Sequence, residues 1–422
     1  MSSAHRWLPL ALAALSLGAP AHPVLGQGVY ISSSGPLDRG MGGASSTAAM
    51  DALGTAYWNP AAIRWLSSSE LAVGMELIAS NHRVASSLGS FAGSSEASNG
   101  AFPIPSVAWV HRPARGPAFG VSLSSVAGVK TNLAADPANP VLMPAPTGLG
   151  RVSSEASFFQ FAPMISLGLS RDVAIGFGPI VTLGQVAAEP FVFASPNVNG
   201  HYSSARATRY HWGGGGQLGL YYAVGSLRLA ASAKSRTWME DFHFMGEDAE
   251  GAPRVLRLDL DLPTILSVGA AYVRPETWTL ALDLRYFDYE HASGFKGPAT
   301  FDATGALGGL GWRSIVSAGV GVQRRLSGAI SVRAGYAYNE NPIPDEDSFF
   351  NLASPLIYQH TLSVGGSIGV GERSSINLAY SYFPPEQVDG PIVSPIAGPV
   401  AGSSVRNTLH VHVVSVGVSA RY

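Results

Sequence analysis

The chain has 422 residues, of which 46% are hydrophobic and 13% charged, with a formal net charge of −2 and no cysteine. The near-neutral charge gives no electrostatic reason to expect a nucleic-acid partner, and the absence of cysteine excludes disulfides and thiol chemistry. Beyond the first residues there is no run of about 18 apolar residues, which excludes a membrane-spanning helix.

The first 26 residues have the pattern of a cleaved secretion signal. His5 and Arg6 provide a weakly basic start, and the apolar run from Leu8 to Leu17 is too short to cross a bilayer. A small-residue cleavage site at 24–26 would leave Gln27 as the mature N-terminus, and 19–21 is a competing site. The sequence therefore predicts a signal peptide at residues 1–26 and export from the cytoplasm.

Residues 27–69 form a segment in which apolar and polar positions do not alternate. The segment is too rich in apolar residues, glycine and alanine to be a solvated tail. We therefore expect the rest of the fold to shelter it.

From residue 70 onward, apolar and polar positions alternate, as they do in β-strands with two different faces. Between Trp278 and Tyr286, every even residue is large and apolar, whereas the odd positions include Asp283 and Arg285. The predicted strands lie at roughly 70–80, 103–113, 117–128, 155–169, 172–187, 208–224, 226–240, 252–274, 277–291, 311–325, 328–340, 357–370, 374–384 and 407–422.

The connections between these strands are sorted by length. Six are tight, such as those at Ser170–Arg171 and Gly225, and seven are long and rich in Pro, Gly and Ser, such as 130–154 and 384–406. Short turns at one rim and long loops at the other are typical of bacterial outer-membrane barrels, whereas a soluble sandwich has no reason to sort its loops. The sequence therefore predicts an all-β fold, a 14-stranded antiparallel transmembrane β-barrel at residues 70–422, in a Gram-negative-type outer membrane. Tyr422 ends an alternating last strand, as signals for the barrel-assembly machinery generally do.

The lumen of such a barrel would be an open aqueous channel, so residues 27–69 are expected to form a hatch inside it. This segment contains two stretches, 32–44 and 51–61, and the second ends with the tripeptide Asn59-Pro60-Ala61. They resemble the N-terminal hatch of the FadL/TodX family of hydrophobic-compound transporters, whose NPA motif the tripeptide matches. Residues 262–289 and 331–344 resemble later strands of that family in the same order.

The resemblance implies a monomeric barrel that works without a cofactor and is not an enzyme. Ligand would be captured among the outer loops and would leave sideways through the wall near a kinked third strand. A path into lipid is favourable, because each CH₂ group gains roughly 0.8 kcal/mol on leaving water. The predicted function is passive uptake of long-chain fatty acids or other hydrophobic compounds across the outer membrane. The alternative is a barrel that acts as an adhesin, receptor or structural protein through its loops.

Two sets of candidate site residues follow. Gly120 and Gly128, in the predicted third strand, could permit a local break in pairing, or they could belong to an ordinary glycine-containing strand. Several cations fall on the predicted inner face and could hold a ligand carboxylate: Lys234, Arg236, Arg285 and Arg333, with Arg257 beside them. For any single cation, an ion pair with Asp259, Asp261, Asp283 or hatch acids such as Asp51 is the stronger expectation.

Four further motifs are less specific. The run Gly213–Gly216 is expected to let the hatch or a ligand lie close, or to form a bulge, and lacks the ending of a phosphate loop. Gly365–Gly369 formally matches a nucleophile elbow, but it lies within an alternating strand without a following helix. His410 and His412 share a strand face without an evident third metal ligand. Asp345–Asp347 could attract cations that bridge lipopolysaccharide, or simply be solvated.

Overall fold

The computed structural model describes residues 28–207, 209–247 and 252–422. The predicted signal peptide and the expected mature N-terminus, Gln27, lie outside the described residues. Among the described residues, no helix is both long enough and apolar enough to cross a membrane.

Within these residues, fourteen antiparallel strands form a closed barrel, as the sequence predicts. The strands are β1 (Glu70–Leu88), β2 (Ala101–His111), β3 (Ala118–Leu133), β4 (Val152–Gly168), β5 (Val173–Glu189), β6 (His211–Val224), β7 (Leu227–Lys234), β8 (Thr264–Arg274), β9 (Trp278–Asp288), β10 (Ile315–Arg325), β11 (Ile330–Asn339), β12 (His360–Val370), β13 (Ser374–Gly390) and β14 (Ser403–Arg421). Closure comes from β1 and β14, which pair from Glu70 opposite Arg421 to Leu88 opposite Ser403.

Alternation decides which face of each strand meets lipid. On β1, Leu71, Val73, Met75 and Leu77 are all more than 40% exposed on the outer face. The residues between them, such as Ala72 and Glu76, point into the lumen and are buried. A strand of this kind satisfies its backbone groups through its neighbours while it presents apolar side chains to hydrocarbon.

Short elements lie in the long connections, except for the first 3₁₀ helix, which lies in the segment before β1. The short strands are Phe91–Glu96, Arg206–Ala207, Trp238–Met239, Phe242–Glu247, Pro253–Leu258, Val393–Ser394 and Gly398–Pro399. The 3₁₀ helices are Ala62–Trp65, Pro140–Leu142, Tyr289–His291 and Asp345–Asn351.

One predicted strand, 252–274, is wrong at its start. Pro253–Leu258 pairs with Phe242–Glu247 in a separate three-stranded sheet, and the wall strand β8 begins only at Thr264. Alternation misleads here, because a sheet packed on the barrel from outside the membrane also has one apolar and one polar face. Arg257 therefore lies in this outer sheet and not on the barrel wall. The neighbouring strand predicted at 226–240 is also shorter, since β7 ends at Lys234.

The segment before β1 lies inside the barrel, and nearly all of its described residues are buried. It contains two short helices, α1 (Gly35–Gly40) and α2 (Ala52–Trp58), neither of which could be stable alone. Asp38 ties them together: its carboxylate accepts hydrogen bonds from Ser34 N (3.0 Å), Ser45 Oγ (2.7 Å) and Trp58 Nε1 (2.9 Å). Burial raises the pKa of the Asp38 carboxyl in spite of these bonds.

Candidate functional site

The ladder between β2 and β3 is incomplete. The two strands pair only from Ser106 opposite Ser124 to His111 opposite Phe119. On its other side, β2 remains paired with β1 as far as Ala101. Residues 101–105 of β2 therefore have no partner in β3, which leaves a gap in the ladder between β2 and β3. Pro103 and Pro105 fall within this stretch, and a proline has no N–H to donate to a ladder.

The hatch pairs with the part of the β3 edge that β2 does not pair with. Ile31 N donates to Val126 O (2.7 Å), Gly128 N donates to Val29 O (3.2 Å), and Tyr30 forms an antiparallel bridge with Ala127. A bulge in β3 at the same level, between Ser125 and Ala127, shifts the register of its pairing with β4. An open edge inside a membrane needs partners for its backbone groups, and residues 29–31 supply them.

The two glycines proposed from the sequence differ in position. Gly128 lies at the gap, where a Cβ atom on it would be 3.7 Å from the Phe102 ring and 3.1 Å from Ala156 O. Gly120 lies in the regular ladder between Val110 and Met164 and is not part of the gap. The informative signal was the pair of prolines in β2, since proline within a strand indicates an edge.

A cavity of about 100 Å³ lies on the inner side of the gap. Its wall combines the hatch residues Val29, Ile31 and Arg39 with side chains from several strands and from the loop before β12. The strand and loop residues that line it include Ile78, His82, Phe102, Ile104, Gly128, Lys130, Leu356, Tyr358, Phe383, Leu409 and Val411. The cavity is therefore mainly apolar, with a few polar groups at its surface.

Lys234 is a buried candidate cation that contacts aromatic side chains of the hatch. It is only 7% exposed, and its Nζ atom lies 4.4 Å from the centre of the Tyr57 ring and donates to Tyr30 Oη (3.3 Å). No ion pair to Lys234 occurs among the described residues. The amino group of Lys234 therefore lies against the aromatic rings of the hatch.

The three candidate arginines have partners within the protein. Arg285 donates to Gly43 O (2.6 Å), pairs with Asp283 (3.1 Å) and lies 3.7 Å from the Trp58 ring centre, so it fastens the hatch to β9. Arg236 pairs with Asp261 at 3.5 Å. Arg333 donates to Ser367 Oγ (2.8 Å). For Arg236 and Arg285 the structure therefore matches the ion-pair alternative.

Sequence reasoning missed a buried ion pair between the hatch and the wall. Arg39 contacts Glu76 of β1 through two hydrogen bonds, Nε to Oε1 at 3.2 Å and Nη2 to Oε2 at 2.5 Å. It also donates to Ser32 Oγ (3.1 Å). The available signal was a charged pair, Asp38-Arg39, within an otherwise apolar segment, because buried charges occur in pairs.

The tripeptide Asn59-Pro60-Ala61 anchors the hatch to a different part of the wall. Asn59 Nδ2 donates to the carbonyl oxygens of Leu220 in β6 (3.2 Å) and Ala231 in β7 (3.3 Å), and its Oδ1 accepts from Ala61 N (2.9 Å). The wall makes room through glycines: a Cβ atom on Gly219 would collide with Asn59 Oδ1, and one on Gly176 would collide with the Pro60 carbonyl group. The motif is therefore built into β5, β6 and β7, away from the β2–β3 gap.

The remaining sequence motifs lie elsewhere. Gly213–Gly216 is part of β6, and the group closest to Gly213 is Met239, not the hatch. Gly365 of β12 packs on Gly40 of the hatch, where a Cβ atom added to Gly365 would lie 3.2 Å from Gly40 Cα, so Gly365 serves close packing. His410 and His412 belong to β14, and no group of three or more potential metal ligands occurs among the described residues.

Comparison with known proteins agrees with this architecture. A sequence profile of the family described as "Outer membrane protein transport protein (OMPP1/FadL/TodX)" matches residues 24–422. No curated protein sequence matches the chain at a significant level.

Solved structures have the same fold at low sequence identity. A Pseudomonas aeruginosa FadL homologue is 14% identical, with a TM-score of 0.71 over 94% of this chain and 100% of that chain. The Pseudomonas putida toluene transporter TodX is 17% identical, with a TM-score of 0.68 over 94% and 100%. The Ralstonia pickettii toluene transporter TbuX is 16% identical, with a TM-score of 0.66 over 93% and 99%.

Proposed function

Because the chain belongs to the OMPP1/FadL/TodX family of outer membrane transport proteins, we propose that it takes up small hydrophobic compounds passively by a lateral route. The compound enters from the extracellular loops, occupies the cavity beside the hatch, and leaves through the gap between β2 and β3 into the outer membrane. In this proposal residues 27–69 form the hatch and residues 70–422 the barrel.

The observation that carries the proposal is the break in the β2–β3 ladder, directly beside the cavity. Ile104, Phe102 and Gly128 belong both to the edges of this gap and to the cavity wall. A compound in the cavity is a short distance from the lipid hydrocarbon, whereas the hatch fills the lumen on the way to the periplasm. Since each buried CH₂ group gains roughly 0.8 kcal/mol relative to water, the sideways path is the favourable one for an apolar compound.

The size of the cavity favours a compact ligand. Its volume of about 100 Å³ compares with an engineered apolar cavity of about 150 Å³ that binds benzene in another protein. A single aromatic ring or a short chain suits this volume, and the named relatives TodX and TbuX are toluene transporters. A long-chain fatty acid would need the hatch to move, and Lys234, which contacts the hatch aromatics, is then a candidate for its carboxylate.

The proposal is tested by obstructing the gap. The chain has no cysteine, so a Phe102→Cys variant can be labelled at one site with either a small or a bulky thiol reagent. We expect labelled toluene uptake by a transport-deficient host to survive the small label and to fall about tenfold with the bulky one. A Leu280→Cys variant is the matched control, because Leu280 is 49% exposed on the lipid-facing surface of β9, away from the gap. Equal uptake with both labels on Phe102→Cys would exclude the lateral route.

A further inference from the structure

His82 of β1 is a buried histidine that lines the cavity. Its side chain points inward and is 0% exposed. Its Nε2 atom lies 2.9 Å from Asn407 Oδ1, whereas Nδ1 has no hydrogen-bond partner among the described residues. Buried polar atoms are nearly always hydrogen-bonded, so an unpartnered imidazole nitrogen on a residue that lines a ligand-sized cavity calls for an explanation.

The neighbours of Asn407 determine which kind of group His82 Nδ1 can bind. Asn407 Nδ2 donates to Ser348 O (2.9 Å) and to Ser348 Oγ (3.0 Å), which places its amide oxygen toward His82. An amide oxygen only accepts, so His82 Nε2 must carry the proton of that bond. In a neutral imidazole the other nitrogen is then an acceptor.

The surroundings of His82 keep the imidazole neutral. Within the part of the chain that the structure describes, no carboxylate pairs with it, and the other ionisable side chains that line the cavity, Arg39, Lys130 and Tyr358, include two cations. A further positive charge in a mainly apolar cavity is unfavourable. His82 Nδ1 therefore offers a lone pair that only a hydrogen-bond donor can use.

We propose that His82 makes the cavity selective for compact hydrophobic compounds that carry a hydroxyl group, such as phenols and small alcohols, over hydrocarbons of the same shape. The inference rests on the proposed function, since it concerns the ligand of the same cavity. The hydroxyl hydrogen bonds to His82 Nδ1, and the apolar body packs against Phe102, Ile104 and Leu409.

The geometry does not favour a carboxylate in the same position. An ionised carboxylate has no proton to donate to His82 Nδ1. Of the two cations that line the cavity, Arg39 is already paired with Glu76, which leaves Lys130 as the one that could attract a carboxylate. A trapped water molecule is the competing occupant, but a buried water needs two to four polar partners, and most of the cavity wall is apolar.

The test compares two ligands of equal shape, p-cresol and p-xylene, by calorimetric titration of the purified full-length barrel in detergent. We expect the affinity ratio of p-cresol to p-xylene to fall about tenfold in a His82→Phe variant, because one hydrogen bond and its unsatisfied acceptor are removed. Using the change in the ratio cancels the different solubility of the two compounds. His412→Phe is the control, because His412 lies on the outer face of β14 and should leave the ratio unchanged.

A ligand-side measurement covers the case in which His82→Phe does not fold. In the wild-type protein, p-cresol should bind more tightly than 4-fluorotoluene, which cannot donate, after correction for partition into protein-free micelles. Equal corrected affinities, or tighter binding of p-toluate than of p-cresol, would overturn the inference. Binding of both p-cresol and p-xylene without a preference refutes only the role of His82, whereas binding of neither refutes the proposed function as well.

Discussion

The two seams on either side of the first hairpin behave differently. The β1–β14 seam joins the two ends of the barrel and is paired over the whole of β1, from Glu70 to Leu88. The β2–β3 seam joins consecutive strands, yet its pairing begins only at Ser106. A barrel therefore need not be weakest where its chain ends meet. The weak point lies where proline removes backbone donors and another segment, the hatch, covers the free edge.

The largest effect on uptake is expected from a crosslink that locks the hatch to β3 at the β2–β3 seam. Tyr30 and Ala127 form an antiparallel bridge, a spacing that suits a disulfide. A Tyr30→Cys, Ala127→Cys variant should lose uptake more than about tenfold when oxidised and regain it when reduced, if residues 29–31 must leave the edge of β3. The measurement is uptake of labelled toluene before and after reduction in the same cells.

The matched control for this crosslink lies across the strong seam. Leu77 and Val414 are directly opposed on the lipid face of β1 and β14. A Leu77→Cys, Val414→Cys variant should transport equally well in both redox states. If the oxidised Tyr30–Ala127 crosslink also leaves uptake unchanged, the hatch end is a fixed part of the wall and the gap needs no movement there.

Repairing the weak seam should have the next largest effect. Replacing both Pro103 and Pro105 with Val restores two backbone donors and favours extension of the β2–β3 ladder. We expect uptake to fall several-fold and the barrel to unfold at a higher temperature in heat-modifiability gels, since each added hydrogen bond contributes about 1 kcal/mol. Trp109→Val, in the paired part of β2, is the control for a new valine on the lipid face. Unchanged uptake together with a more stable barrel would show that the prolines do not maintain the route.

A smaller effect is expected at the far anchor of the hatch. Asn59 bonds to β6 and β7 and not to the gap, so replacing Asn59 and Pro60 with Ala should loosen the plug without reshaping the exit. Leakage of small polar solutes should rise a few-fold while hydrophobic uptake stays near the wild-type rate. A loss of uptake without leakage would connect the motif with the exit after all. Parallel loss of surface expression would instead indicate a role in assembly.

The smallest expected effect is a pH dependence of hatch stability. Asp51 caps α2 by accepting from Gly54 N (3.0 Å), and burial, followed by the charge of Glu70, raises the pKa of its carboxyl to about 8. In an unfolded chain the pKa of an Asp carboxyl is about 3.9. Between these values the folded hatch keeps a proton that the unfolded hatch releases, so its stability is complete below about pH 4 and decreases as the pH rises to about 8.

Hydrogen exchange of α2 measures this effect, and exchange should accelerate across that pH range beyond the intrinsic chemical rate. An Asp51→Asn variant, which cannot ionise, should show no such additional acceleration. Wild-type exchange that follows only the intrinsic rate would show that Asp51 does not titrate in the hatch.

Much of the wall could be predicted from local pattern, because a membrane strand must alternate along its length. The alternation at 278–286 matches the observed outward side chains of β9, and the strand number and loop sorting are as predicted. The same rule failed at 252–258, because alternation indicates that a strand has one apolar and one polar face but not whether lipid or protein covers the apolar face. The candidate cations showed a similar limit: acid partners such as Asp261 and Asp283 were predictable, but the contacts of Arg285 with Gly43 O and the Trp58 ring come from a segment that only folding brings to β9.

The sequence by itself determined the barrel, its strand number, the membrane it suits and the presence of a sheltered segment before residue 70, because period-two alternation, turn chemistry and loop length are local properties. Only the tertiary structure decided where the pairing of the wall is interrupted. The position of the gap depends on three segments: Pro103 and Pro105 lack backbone donors, β3 has a bulge at Ser125, and residues 29–31 bond to Val126 and Gly128 in place of β2. Hydrogen bonds such as those of residues 29–31 to Val126 and Gly128 leave no periodic trace in the chain, because they join segments that are far apart in the sequence.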